Sequence, residues 1–231
     1  MNGMEKMLKV ICIGDSITEG FGIDTDVSGP YPAQLQRMLG EDYQVFNQGV
    51  SCTCTIKRLK DVRPVGMPYV QEKKWKEALE IAGDIYVVML GTNDAQDGYN
   101  EEENRTDPQN DVFSLREFFM EDYMKIVAEI HEKVPNALIL SVKPVPVMES
   151  IWRKHQQKFL EVILGYIDKI WEENNWLIPV DMQSVFLKIP WEERKKLYQK
   201  DGLHPDKAGA KLIAETIAEH IVSAVKTENR D

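Results

Sequence analysis

Four short stretches of the chain hold residue types that could do chemistry together. They are Ser16 in GDSITEG, Asn47 and Gly49 in NQGVS, Asn93 in GTND, and Asp201 with His204 in DGLHP. A serine hydroxyl is a poor nucleophile until a base accepts its proton, so the first question is which histidine could serve. There are four: His131, His155, His204 and His220. His131 and His220 fall near the ends of amphipathic patterns, where a cation complements the helix dipole. His155 stands among Lys154, Gln156 and Gln157 and reads as surface. His204 differs, because an Asp-Gly turn signal separates it from Asp201, and such a turn folds a carboxylate back onto one ring nitrogen. An imidazole held in that way is fixed in one tautomer, with its other nitrogen ready to act as a base.

The remaining stretches suit the charge that such a reaction develops. A carboxamide at Asn93 and the backbone amides of Ser16 and Gly49 could hydrogen-bond an oxyanion, and a glycine lets backbone approach a ligand closely. Asp15, Asn47, Thr92 and Asp94 are placed to support these groups. Each stretch also has a plainer reading. Asp15 or Ser16 after Gly14 caps a helix, Thr92 or Asn93 bonds local backbone, and an Asp–His pair before a helix caps it.

These residues need elements to position them. Five apolar runs have the continuity of strands covered on both faces: Lys9–Gly14, Tyr43–Val50, Asp84–Asp94, Ala137–Val145 and Trp176–Met182. Between them lie helical periods. Leu115, Phe118, Phe119, Tyr123, Ile126, Val127 and Ile130 form one stripe, and Phe159, Ile163, Tyr166, Ile167 and Ile170 form another. In the last, Pro205 occupies a first-turn position, Asp206 complements the positive end, and Ile213, Ile217, Ile221 and Val225 recur every fourth residue. Alternating strands and helices predict a single α/β domain over residues 1–231, built on an open parallel sheet. In such a sheet, functional groups gather outside the carboxyl ends of the strands. Ser16, Gly49 and Asn93 each follow a strand.

Composition narrows the classes. With 28 basic against 38 acidic side chains the formal charge is -10, which repels phosphate backbones and anionic membrane surfaces. No run is long enough to span a bilayer. The amino terminus lacks the apolar segment of a signal peptide, and three cysteines, Cys12, Cys52 and Cys54, are an odd count, so a cytoplasmic location with free thiols is expected. No two histidines lie close enough in sequence for a zinc-protease motif, and no phosphate-binding glycine motif is present, which disfavours metal-dependent hydrolysis and nucleotide or flavin binding. Two stretches, Ser51–Lys74 and Ala95–Asp111, lack apolar periodicity and read either as surface loops or as the rim of a site.

Taken together, the four motifs resemble the blocks of the SGNH hydrolases, also called GDSL-type esterases and lipases, in family order and across residues 14–205. The resemblance implies a three-layer α/β/α fold of flavodoxin-like order with about five strands. It further implies a Ser16 nucleophile, His204 as base, Asp201 as triad acid, and an oxyanion hole of Ser16, Gly49 and Asn93, with no metal or cofactor. The loop Ser51–Cys54 departs from the small residues that usually follow the second block. The expected partner is a small-molecule acyl ester, acetyl foremost, of a polar alcohol such as a carbohydrate. Lysophospholipase, thioesterase and arylesterase activities are the alternatives within the family, and a non-catalytic carbohydrate-binding module is the alternative outside it. Trp75, Tyr99, Tyr69 and Trp152 are candidate sugar-stacking aromatics.

Overall fold

The computed structural model describes residues 7–24, 29–57, 67–95, 118–148 and 154–228, with the backbone alone for 154–156. Five strands, β1 (Leu8–Gly14), β2 (Tyr43–Gly49), β3 (Ile85–Met89), β4 (Leu138–Lys143) and β5 (Leu177–Asp181), form one sheet in the order β2-β1-β3-β4-β5. Every pairing is parallel. This is the doubly wound order in which the chain switches direction between β1 and β3, and a crevice opens there at the strands' carboxyl ends.

Alternation along β1 and β3 splits the core in two. Ile11, Ile13, Tyr86 and Val88 face one layer, packed by α3 (Lys73–Ile81), α5 (Phe119–Lys133) and α6 (Lys154–Glu173). Val10, Cys12, Ile85, Val87 and Met89 face the other, packed by α2 (Tyr31–Leu39), α7 (Met182–Leu187) and α9 (Lys207–Glu228). The short helices α1 (Ser16–Glu19), α4 (Thr92–Ala95) and α8 (Trp191–Arg194) sit in connections. The predicted α/β/α sandwich is therefore observed.

Boundaries move where local chemistry overrides periodicity. The third strand ends at Met89, because Gly91 turns with φ 127 and the chain rewinds into α4, carrying Asn93 and Asp94 into a helix. β4 ends before Pro144, which has no N–H for the ladder. Pro179 is tolerated in β5 because β5 lies at the sheet edge. Pro205 precedes the last helix rather than entering it. Asp206 is the cap, its Oδ1 accepting from the Ala208 and Gly209 amides at 2.8 and 2.9 Å. The stretch Ser51–Lys74 is not all surface: Thr53, Cys54, Thr55, Ile56 and Tyr69 are buried, and Cys54 bridges Pro68. Of Ala95–Asp111, only the buried Ala95 lies among the described residues.

Two glycines separate close packing from mere permissiveness. A Cβ on Gly49 would lie 2.1 Å from the Glu19 backbone nitrogen, whereas one on Gly165 in α6 would meet nothing within 4 Å. Gly49→Ala is expected to lower unfolding free energy by roughly 1–3 kcal/mol. Gly165→Ala should raise it by about 0.5–1 kcal/mol through helix propensity. Urea unfolding of both variants checks this; equal effects at the two sites would show that the β2–α1 contact is not tight.

Candidate active site

The crevice is built from the strand exits inward. β1 delivers Gly14, and Asp15 caps α1 by accepting the Ile17 amide on Oδ1 at 2.9 Å, so Ser16 becomes the helix's first residue. Gly20, with φ 90, ends the helix after one turn.

The opposing wall is the segment before α9. Tyr198 bridges Pro205, Gln199 N–H donates to the His204 carbonyl at 2.8 Å, and Gly202 turns with φ 65. Inside this turn the Asp201 carboxylate accepts the Leu203 and His204 amides on Oδ1, at 2.9 and 3.0 Å. Its Oδ2 lies 2.7 Å from His204 Nδ1, and His204 Nε2 lies 2.9 Å from Ser16 Oγ. Partial burial alone would raise the Asp201 pKa, but the His204 ring and the two amides outweigh it and hold the carboxyl below its ordinary value. An ionised carboxylate can only accept, so Nδ1 carries the ring proton and Nε2 accepts from the Ser16 hydroxyl.

Two contacts outside the sequence motifs set the imidazole's place. The Phe21 ring packs on it with centroids 4.8 Å apart, and Phe21 is 54% exposed. Gln199 Nε2 donates to the Phe21 carbonyl at 2.6 Å and to the Pro205 carbonyl at 3.1 Å, tying the two walls together. Sequence reasoning missed both residues, since neither type nor spacing marked them. His131 stacks on Trp176 and His220 Nδ1 bonds the Thr216 carbonyl, so neither contributes here. The side chain of His155 lies outside the described residues.

The loop after β2 closes the crevice floor. Asn93 Nδ2 donates to the Thr53 carbonyl at 2.9 Å, and Asp94 accepts the Thr55 and Ile56 amides at 2.8–3.0 Å. Thr92 is buried, and its side chain helps to lower the pKa of Asp15 against the effect of burial. Glu19 accepts from both the amide and the hydroxyl of Ser51, and Lys74 donates to the Asn47 and Gly49 carbonyls.

One expectation changes. The Gly49 amide donates to Asn47 Oδ1 at 2.9 Å, so it is committed within the loop rather than presented to a ligand. Asn47 thereby organises the β2 exit, its Nδ2 also reaching the Glu19 carbonyl at 3.3 Å. The left-handed residue in this loop is Cys52, with φ 65 and an exposed side chain; Cys54 and Cys12 are buried, and all three are free thiols. Trp75 and Tyr69 are buried in the core, which removes them as stacking platforms. Tyr99 and Trp152 lie outside the described residues. Among the described residues, no group of three His, Cys, Asp or Glu could hold a metal, and no helix is long and apolar enough to cross a membrane.

A serine, an imidazole and a carboxylate stand in hydrogen-bonded series at the carboxyl edge of a 2-1-3-4-5 sheet. Residues 12–212 match the GDSL-like Lipase/Acylhydrolase family, and the chain belongs to it. It is 32% identical over 218 residues to an acetylxylan esterase from Xylanibacter ruminicola, covering 93% of this chain and 43% of that protein. The chain thus spans less than half the length of this relative. The fold is similar to that of a lipase/acylhydrolase from Enterococcus faecalis, with TM-score 0.66 and 21% identity over 93% of this chain and 95% of that one. It is also similar to an acetylxylan esterase from Geobacillus stearothermophilus, with TM-score 0.63 and 20% identity over 94% and 95%.

Beneath Ser16, Asp15 is fully enclosed. Burial pushes its pKa up to about 7, against the Ile17 amide's opposing effect and with help from the Asp94 charge. A carboxyl whose folded pKa is raised holds its proton in the native state after the unfolded chain has released it. Stability should therefore fall as pH rises from about 4 to about 7, and level off above. Asp201 works in the opposite sense, its contribution being lost only as pH falls below the ordinary carboxyl range. Asp15→Asn preserves the Ile17 acceptor, and its melting temperature should lose the decline between pH 4 and 7. An identical decline in wild type and variant would remove Asp15 as its source.

Proposed function

We propose that this chain is a serine esterase that removes small acyl groups, acetyl foremost, from a polar alcohol such as a carbohydrate. The observation that carries the proposal is the unbroken run from Asp201 through His204 to Ser16, at 2.7 and 2.9 Å. As Ser16 Oγ forms a bond to the ester carbonyl carbon, its proton passes to His204 Nε2, and the imidazolium that results is stabilised by ionised Asp201. The carbonyl π electrons move onto oxygen. The Ser16 amide and the Asn93 carboxamide, which the Thr53 carbonyl fixes in place, stabilise that oxyanion. The Gly49 amide is left out of the set. Collapse breaks the bond to the alcohol oxygen, which takes the proton from Nε2. Water then attacks the acyl-enzyme with His204 again as base, releasing a carboxylic acid and restoring Ser16.

The substrate class draws on the acetylxylan esterase relative at 32% identity and on the exposed Phe21 ring beside His204. An apolar ring at the mouth of a site suits the apolar face of a sugar as the alcohol portion. Trp75 and Tyr69, being core residues, no longer enter this reading.

Three variants test the chemistry. Ser16→Ala should lower kcat on an aryl acetate by on the order of 10⁴-fold or more and abolish the acylation burst and labelling by a fluorophosphonate. His204→Ala should do the same to turnover. Asn93→Ala should cost about 10²–10³-fold, mainly in kcat. Wild-type labelling on a residue other than Ser16, or turnover surviving in Ser16→Ala, would sink the nucleophile. Rates measured against acyl length should peak at acetyl; a maximum at long chains would defeat the substrate class.

A further inference from the structure

A cavity of about 680 Å³ is bounded on one side by Tyr198, at the start of the segment that leads to His204, and its walls include none of Ser16, Asn93 or His204. Its size falls within the range of small-molecule sites. The cavity shares a wall with the active-site turn: the Tyr198 hydroxyl donates to the Pro146 carbonyl, and the Met148 amide donates to the Gly202 carbonyl at 3.0 Å. The backbone of the cavity wall is thereby hydrogen-bonded to the turn that carries Asp201 and His204.

The lining is specific about what it would accept. Leu160, Leu164 and Val147 make an apolar floor, and Trp191 and Leu187 at the rim are 43% and 54% exposed. Trp191 is held by Arg194, whose guanidinium lies 5.4 Å from its ring centroid while Nη1 reaches the Leu187 carbonyl at 3.3 Å. Among the described residues the charged groups on the wall are one of each sign, Glu161 and Arg194, so a net anion or cation meets repulsion as well as attraction. Two carboxamides join them. Gln183 is anchored through Nε2 on the Pro144 carbonyl at 3.0 Å. Gln157 Nε2 is buried without a hydrogen-bond partner among the described residues, a state that costs free energy until an acceptor arrives. An indole face, a neutral pair of charges and a donor awaiting an acceptor match an uncharged polyol with one apolar face.

We infer that this cavity is a second saccharide site, holding a sugar residue of the same glycan whose ester is cleaved at Ser16. The inference deepens the esterase reading and rests on it for the identity of the glycan. Binding there would leave the reacting centre unaltered and strengthen capture of the polymer, so its signature is a change in KM with kcat held.

The test uses unacetylated xylo-oligosaccharides of three to six residues as probe, titrated against wild type, Trp191→Ala and Glu161→Gln. Saturable binding is expected in wild type, weakened about tenfold in each variant. With the acetylated oligosaccharide, both variants should raise KM about tenfold and keep kcat. Equal binding in all three proteins, or a cavity filled by dodecanoate and indifferent to xylo-oligosaccharides, would overturn the site. Failure of the esterase reading looks different, because wild type would then leave an aryl acetate untouched, and the titration would still decide the cavity.

Discussion

A 2.9 Å contact between Ser16 Oγ and His204 Nε2 joins residues 188 apart in sequence, and the larger features of the fold keep that distance. Parallel register brings the strand ends level, since Gly14 is paired with Gly49 on one side and Met89 on the other. That alignment sets the β1, β2 and β3 exits around one crevice where the strand order reverses. The far end of the chain arrives by packing, with Ile213, Ile217 and Ile221 of α9 sharing a core with Tyr31 and Leu35 of α2. Gln34 Nε2, donating to the Lys207 carbonyl at 3.1 Å, fixes the start of α9 against α2. A hydrogen bond loses most of its strength with a slight misplacement, so the apolar layers are what give this one its geometry.

Two carboxylates flank the crevice and are driven apart by their surroundings. Asp201, accepting from two amides and a ring nitrogen, is favoured in its charged form. Asp15, fully buried and near Asp94, is favoured in its neutral form until about pH 7. Below about pH 7 Asp15 keeps its proton, while Asp201 carries its charge directly against the His204 ring. Environment, rather than residue type, assigns the roles.

How much of this the sequence carries depends on the range of the interaction. The five strands are visible because burial on both faces leaves an unbroken apolar run, and the helices α5, α6 and α9 because one buried face leaves a period. Asp201 and His204 are visible because a turn signal and a three-residue spacing are local. Phe21 and Gln199 are not, because their importance arises only when two chain segments 178 residues apart meet. The edges of elements escape the sequence pattern for a similar reason. Gly91, Pro144 and Asp206 end or begin structure by one residue's φ, one missing N–H and one carboxylate, and none of these disturbs the hydrophobic pattern. Tyr69 and Trp75 read as rim aromatics because they flank a polar, proline-containing stretch, yet tertiary packing draws both into the core.

The loop after β2 shows the same divide most sharply. A glycine at 49 suggests conformational freedom and an amide offered to a ligand, but its lack of a side chain is spent on contact with Glu19, and its N–H on Asn47. The positive φ falls instead on Cys52, a residue whose type gives no hint of it and which pays about 1–2 kcal/mol for that conformation. Something must over-determine the loop for it to persist. Glu19 holds Ser51, Asn93 holds Thr53, and Asp94 holds Thr55 and Ile56, so the hydrogen bonds come from the helix that bears Ser16 and from the short helix α4. The elements that carry Ser16 and Asn93 are thereby also the elements that brace the loop, and the Asn93 carboxamide is held in one orientation by the carbonyl of the strained loop it restrains.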